Sequence, residues 1–145
     1  MTDRYVFDTE AIIAYLYDEP GRRQVETYLT ELATKSIEGL LAETNAAEVY
    51  YLVARFEGLD DEPTAASLRT AERDLQALDR GGLDIERADW RLAARIKADG
   101  QISLADAHAV ALAAEYDATL IVGADDDFDH LPVDVDVVRF RERHS

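Results

Sequence analysis

The sequence predicts an α/β fold of three layers, α/β/α, around a mostly parallel central sheet of four or five strands. Three observations carry this. Short apolar runs alternate along the chain with longer segments whose apolar residues recur at helical spacing. The run "ATLIV" at 118–122 is continuously apolar, which suits a strand covered on both faces. The breaks between elements are short, and crossovers between parallel strands are right-handed, so the strands point one way.

In order, "RYVF" at 4–7 reads as a strand from its aromatic and β-branched residues, followed by a helix from Thr9 to about Tyr17 carrying Ile12, Ile13 and Leu16. "EPG" at 19–21 separates it from a helix running from Arg22 to about Thr34, and a short strand follows near 36–40. Thr44 is placed to cap a helix reaching Phe56. After "GLDDEP", a helix from Thr64 to Leu78 carries Leu68, Ala71, Leu75 and Leu78 at spacings of 3, 4 and 3. "GLDI" at 82–85 is a third strand, and a helix over 88–98 buries Leu92 and Ile96. Ser103 caps a helix from Leu104 to about Glu115; the strand at 118–122 follows, and "VDVVRF" at 135–140 is the last.

With 145 residues, 48% of them hydrophobic, the chain is expected to be one domain, residues 1–145, with a core that needs no staples. No cysteine is present, which excludes disulfides, thiolate metal sites and a cysteine nucleophile. No apolar run approaches the roughly 18 residues of a membrane span, and no signal-type h-region opens the chain. A soluble, cytoplasmic protein is expected. The net charge is −16, and only Lys35 and Lys97 among the 15 bases are lysines. Such a self-repelling surface suits high salt, where the Debye length falls to about 3 Å. A salt-adapted protein is the expectation, and any nucleic-acid role has to come from a local site.

A helix returning between parallel strands begins at their carboxyl edge. That places Asp8, Glu48, Asp106, Asp125 and Asp127 on one rim, delivered by four separate segments. Each acid alone has a structural explanation. Asp8 can cap the helix beginning at Thr9, Glu48 and Asp106 can favour a helix dipole, and Asp125–Asp127 can be a solvated turn. Together they repel, and neither lysine lies near them. A divalent cation resolves this, and an all-oxygen donor set selects Mg²⁺ or Mn²⁺ over zinc.

The segments "VFDTEAIIAYL", "TNAAEVYYLVAR" and "ISLADAHAVALAAEYDATLIVGADDDF" resemble, in order and spacing, the acidic motifs of PIN-domain ribonucleases, and most of all the VapC toxins of toxin–antitoxin pairs. The resemblance covers Arg4 to about Phe140. It implies a PIN-like fold in which Asp8, Glu48, Asp106 and Asp125 hold one or two Mg²⁺ or Mn²⁺ ions and serve RNA cleavage. It further implies Asp127 as an additional acid near the metals, Thr9 as a hydroxyl behind the first acid, and a cognate antitoxin. Two positions depart from the pattern: Glu10 stands where a small or polar residue is common, and Gly123 where Thr or Ser usually precedes the fourth acid.

The remaining polar residues read as structural. His108, two residues beyond Asp106, faces away from it on a helix; His130 and His144 fall in a loop and a tail, and Arg139, Arg141 and Arg143 form a basic tail with a solvated end as the default. Tyr15, Tyr50 and Tyr51 suit either RNA stacking or a core edge. The Leu68–Leu78 stripe is most simply core, with a homodimer or antitoxin seam as the other reading. Three rival readings stand beside this one. A receiver-type phosphoacceptor domain needs a lysine at the end of a late strand, and Lys35 and Lys97 are misplaced for it. A haloacid-type phosphatase needs an Asp where Glu10 stands. A catalytically inactive PIN-like domain that only binds a partner is opposed by the complete acid set.

Overall fold

The computed structural model describes residues 3–141. Within them lie β1 (Arg4–Phe7), α1 (Thr9–Leu16), α2 (Arg22–Ala33), β2 (Glu38–Ala42), α3 (Glu43–Phe56), α4 (Ala65–Arg80), β3 (Leu83–Glu86), α5 (Trp90–Asp99), α6 (Leu104–Tyr116), β4 (Thr119–Val122) and β5 (Val137–Arg139). The strands form one sheet in the order β3-β2-β1-β4-β5, and every pairing is parallel. Chain order reverses around β1, with β2 and β3 on one side and β4 and β5 on the other. The carboxyl end of β1 is thus the topological switch point, where open α/β sheets leave a crevice.

Alternate residues on the three inner strands feed two cores. Phe7, Leu41 and Ile121 pack with α1–α4, joined by Phe140. Val6, Leu40, Leu120 and Val122 pack with α5 and α6. The unbroken apolar run of β4 is explained by this double coverage.

Several helix starts follow from their caps. Asp8 accepts from the Ala11 N–H at 2.7 Å and opens α1. Thr64 and Ser67 form a reciprocal capping box at α4, and the Ser103 hydroxyl accepts from the Asp106 N–H at 3.1 Å to open α6. Thr44 is not a cap: α3 begins directly after β2, with Ala42 in the capping position and no side-chain cap bond. Because β2 ends at Ala42 rather than near residue 40, strand and helix abut and leave no loop for Thr44 to cap. α5 starts two residues later than the apolar spacing suggests, because Asp89 accepts from the N–H groups of Arg91 and Leu92.

The stripe on α4 is mostly consumed by the core. Ala71, Leu75 and Leu78 are buried, and of the stripe only Leu68 stays exposed. Tyr50 is half-buried against the same core, whereas Tyr51 is exposed. No helix among the described residues is long and apolar enough to cross a membrane.

Candidate active site

Asp8 closes β1 at the switch point. Its N–H donates to the Ile121 carbonyl at 3.2 Å, tying it to the neighbouring strand, and its side chain is 1% exposed. Capping occupies Oδ1, and Oδ2 accepts no hydrogen bond among the described residues. A cleft of about 320 Å³ opens here, lined by Asp8, Thr9, Glu10, Glu48, Asp106 and Asp125 with Ile13, Leu52, Ser103 and Phe128. Strand β1, helices α1, α3 and α6 and the loop after β4 thus deliver five carboxylates to one crevice. Asp127 stands beside it: Asp106, Asp125 and Asp127 each offer an oxygen within 4.8 Å of the others.

The electrostatics are those of acids crowded without enough counter-charge. Burial pushes the Asp8 carboxyl well above the usual carboxylate range. The Ala11 N–H opposes this, the charges of Glu10 and Asp106 add to it, and Arg141 offsets part of it. Burial also lifts Asp106, to about 6; the bond from Ser103 opposes this, and the charges of Asp125, Glu48 and Asp127 contribute to the rise. Asp127 is raised by desolvation and then by Asp125 and Asp126, with Lys97 pulling the other way. Lys97 therefore acts electrostatically on Asp127, an influence that the expectation of no nearby lysine left out. Helix α5, which carries it, runs alongside α6, which sequence distance concealed.

The donor set fits a hard divalent cation. The charged ligand atoms are all carboxylate oxygens, three of them already clustered, with the buried Asp8 lining the adjoining cleft.

Two residues of the expected solvated tail belong to the site's frame instead. The Arg139 guanidinium donates to the carbonyls of Gly123 (2.7 Å) and Asp125 (2.8 Å) and to Asp129 Oδ1 (2.8 Å), strapping the loop that carries Asp125 and Asp127. Arg141 donates through Nε to Glu10 Oε1 at 3.1 Å, pairs with it again through Nη2, and reaches the Pro20 carbonyl. Spacing by two in "RFR" puts both arginines on one side of the strand, with Phe140 turned into the core. Arg143 and His144 lie outside the described residues.

The same geometry joins the two departures at Glu10 and Gly123. A Cβ at residue 123 would collide with the Glu10 carboxylate, so Glu10 fills the space a Thr or Ser side chain would take, and Arg141 holds it there. His108 faces away as expected, its Nδ1 bonded to the Leu104 carbonyl at 2.8 Å, and His130 is exposed in the loop. Asn45 went unremarked in the sequence. It is fully buried on α3, and its Nδ2 donates to Thr9 Oγ1 at 3.0 Å. The signal available was an Asn three residues before Glu48, one helical turn away on the same face.

Comparison with known proteins agrees with this architecture. The family model for the PIN domain matches residues 5–134. Among solved structures, a chain of VapBC2 from Rickettsia felis, bound to a promoter DNA fragment, superposes with a TM-score of 0.67 at 15% identity, covering 94% of this chain and 98% of that one. A chain of FitAcB from Neisseria gonorrhoeae gives 0.62 at 21%, covering 92% and 95%. VapC20 from Mycobacterium tuberculosis, a sarcin-ricin-loop-cleaving toxin, gives 0.56 at 13%, covering 80% and 86%. No curated protein matches the chain. With the α/β sheet, the crevice at its switch point and the matched span in agreement, the chain belongs to the PIN domain family.

Proposed function

We propose that the chain is a Mg²⁺- or Mn²⁺-dependent endoribonuclease and the toxin of a toxin–antitoxin pair. One observation carries the reading: four segments distant in sequence bring Asp8, Glu48, Asp106 and Asp125 to one cleft, where burial raises Asp8 and Asp106 above the usual carboxylate range and neighbouring acids add to the rise. Asp8, Glu48, Asp106 and Asp125 would hold the cation, with Asp127 as the additional acid beside Asp106 and Asp125. A bound divalent cation supplies the Lewis acidity that lets water attack a phosphodiester near neutral pH. The residues do the rest. The Ala11 N–H fixes the Asp8 carboxylate on rigid strand-end backbone. Ser103 fixes the helix start that presents Asp106. Arg139 fixes the loop that presents Asp125. Charge neutralisation at this crevice lets a polyanionic RNA approach an acidic protein.

The solved relatives support the toxin reading, since one similar structure is a toxin–antitoxin complex from Klebsiella pneumoniae and VapC20 is a sarcin-ricin-loop-cleaving toxin. For the antitoxin and a homodimer, the support is the exposed apolar surface around the α3–α4 hairpin: Tyr51, Phe56, Leu59 and Leu68. For a cytoplasmic, salt-adapted protein, it is the net charge of −16 and the near absence of lysine.

The test is cleavage of RNA by purified protein at high salt. Cleavage in Mg²⁺ or Mn²⁺ that stops with EDTA is the expected result. Cleavage that survives EDTA overturns the mechanism. A monomer at every concentration in sedimentation overturns the dimer.

A further inference from the structure

Asn45 and Thr9 carry an inference that deepens the ribonuclease reading and rests on it. Thr9 is the first residue of α1, directly after Asp8, only 7% exposed, and it lines the acid cleft. Its oxygen accepts a hydrogen bond from Asn45 Nδ2 at 3.0 Å. Its hydroxyl proton has no acceptor among the described residues. Thr27 and Thr70, inside their helices, spend that proton on the carbonyl four residues back, at 3.0 and 3.3 Å. Thr9 opens α1, so no helical carbonyl lies behind it to take its proton. On the far side of the pair, Asn45 Oδ1 is fully buried with no hydrogen-bond partner.

The direction of this bond decides what Thr9 offers the cleft. A hydroxyl has one proton, so an oxygen that accepts from Asn45 must donate elsewhere. Rotating the Asn45 amide by half a turn would reverse the bond. Two arguments oppose that reversal. It would strand a buried amide N–H₂, and orphaned buried donors are rarer than under-satisfied carbonyls. It would also aim the Thr9 lone pairs at a cleft lined by Asp8, Glu10, Glu48, Asp106 and Asp125, where like charge repels them and a proton is attracted.

We propose that Asn45 is a positioning residue that fixes the Thr9 hydroxyl as a hydrogen-bond donor into the cleft, where it holds a non-bridging phosphate oxygen of the RNA. In a crevice dominated by carboxylates, Thr9 is then a donor set to recognise the substrate's anionic oxygen rather than the cation. Without Asn45 the hydroxyl rotates, and its donor direction is no longer set.

The experiment compares wild type with Thr9→Val, Thr9→Ser, Asn45→Leu and the Thr9→Val/Asn45→Leu double variant. Three quantities are read: kcat and KM on a mixed-sequence single-stranded RNA, Mn²⁺ affinity by calorimetry, and the Asn45 side-chain amide resonances of metal-free protein. Thr9→Val is expected to lower kcat/KM roughly tenfold to a hundredfold, the loss of one hydrogen bond to a charged group. Thr9→Ser should stay near wild type. Asn45→Leu should fall between and add nothing on top of Thr9→Val. Mn²⁺ affinity should be unchanged throughout, and the amide resonances should move in Thr9→Val. A drop in Mn²⁺ affinity with Thr9→Val means the hydroxyl faces the cation with its lone pairs and overturns the inference. So do wild-type activity in Thr9→Val, or losses that multiply in the double variant. A wild-type protein that cleaves no RNA with either cation is a different failure: it removes the ribonuclease reading itself, and this role for Thr9 with it.

Discussion

The two edges of the sheet handle charge in opposite ways. At the amino edge, Arg4 and Glu38 on adjacent strands pair at 2.6 Å, and the same arginine reaches the Tyr116 carbonyl at 3.3 Å. Both side chains are about half exposed, so water shares the work. That edge has a pocket of about 470 Å³, larger than the acid cleft, yet its lining mixes Asp3, Arg4, Glu38 and Asp117 with Tyr5, Tyr116 and Thr119. At the carboxyl edge, Asp8, Glu48, Asp106 and Asp125 converge, and the arginines close by serve other purposes: Arg141 binds Glu10, and Arg139 binds carbonyls and Asp129. Size therefore does not mark the site. An ion pair lets one edge rest as it is, and the other keeps its carboxylates open to a cation.

The largest expected effect follows from removing one of those charges. Asp8→Asn should lower RNA cleavage by at least about a hundredfold, because it weakens the cation's hold and the acidity it supplies. The capping bond survives, since Asn also accepts from an N–H, so metal-free protein should melt at or above the wild-type temperature. Asp60→Asn, in the exposed turn after α3, should change neither quantity. An unfolded Asp8→Asn protein would make Asp8 a structural cap and nothing more.

Next in size is the strap. Arg139→Gln breaks the fork onto Gly123, Asp125 and Asp129 and should cost about 2 kcal/mol in denaturant unfolding. It should also weaken Mn²⁺ binding, because Asp125 loses its fixed loop. Unchanged Mn²⁺ affinity would show that the loop orders without its arginine.

This strap marks the limit of what the sequence showed. The strand–helix alternation, the carboxyl-edge convergence of the acids and the caps at Asp8 and Ser103 all depend on local spacing, and local spacing is legible. The roles of Arg139 and Arg141 are not, because their partners lie 14 and 131 residues away and become neighbours only when β5 pairs with β4. Glu10 and Gly123 looked like two separate departures for the same reason. Their relation is a contact between α1 and the end of β4, invisible without the fold. Thr44 failed as a cap because the register of β2 ran two residues further than its composition suggested.

A smaller effect separates the edges by pH. In metal-free protein Asp106 keeps its proton to about pH 6, against 3.8 for an ordinary aspartate, and Asp8 is raised as well. The folded state therefore binds more protons than the unfolded chain between these values. The stability contributed by Asp106 is fully present below about pH 3.8 and is lost as pH rises through about 6. Melting of EDTA-treated protein should fall in temperature between about pH 4 and 6.5, and Asp106→Asn should flatten that slope. Smallest of all, Arg4→Gln or Glu38→Gln at the amino edge should change stability by less than about 1 kcal/mol and leave cleavage untouched, as for other exposed pairs.

The central claim, that the carboxyl edge keeps its acids for a divalent cation, is tested most directly by melting the protein across a Mn²⁺ titration. A ligand that binds only the folded state raises its stability by about 2.7 kcal/mol at a hundred times its dissociation constant. Wild type should show a saturable rise in melting temperature of that origin, reversed by EDTA and absent in Asp8→Asn. A rise of equal size in both proteins, or none in wild type, would contradict the account.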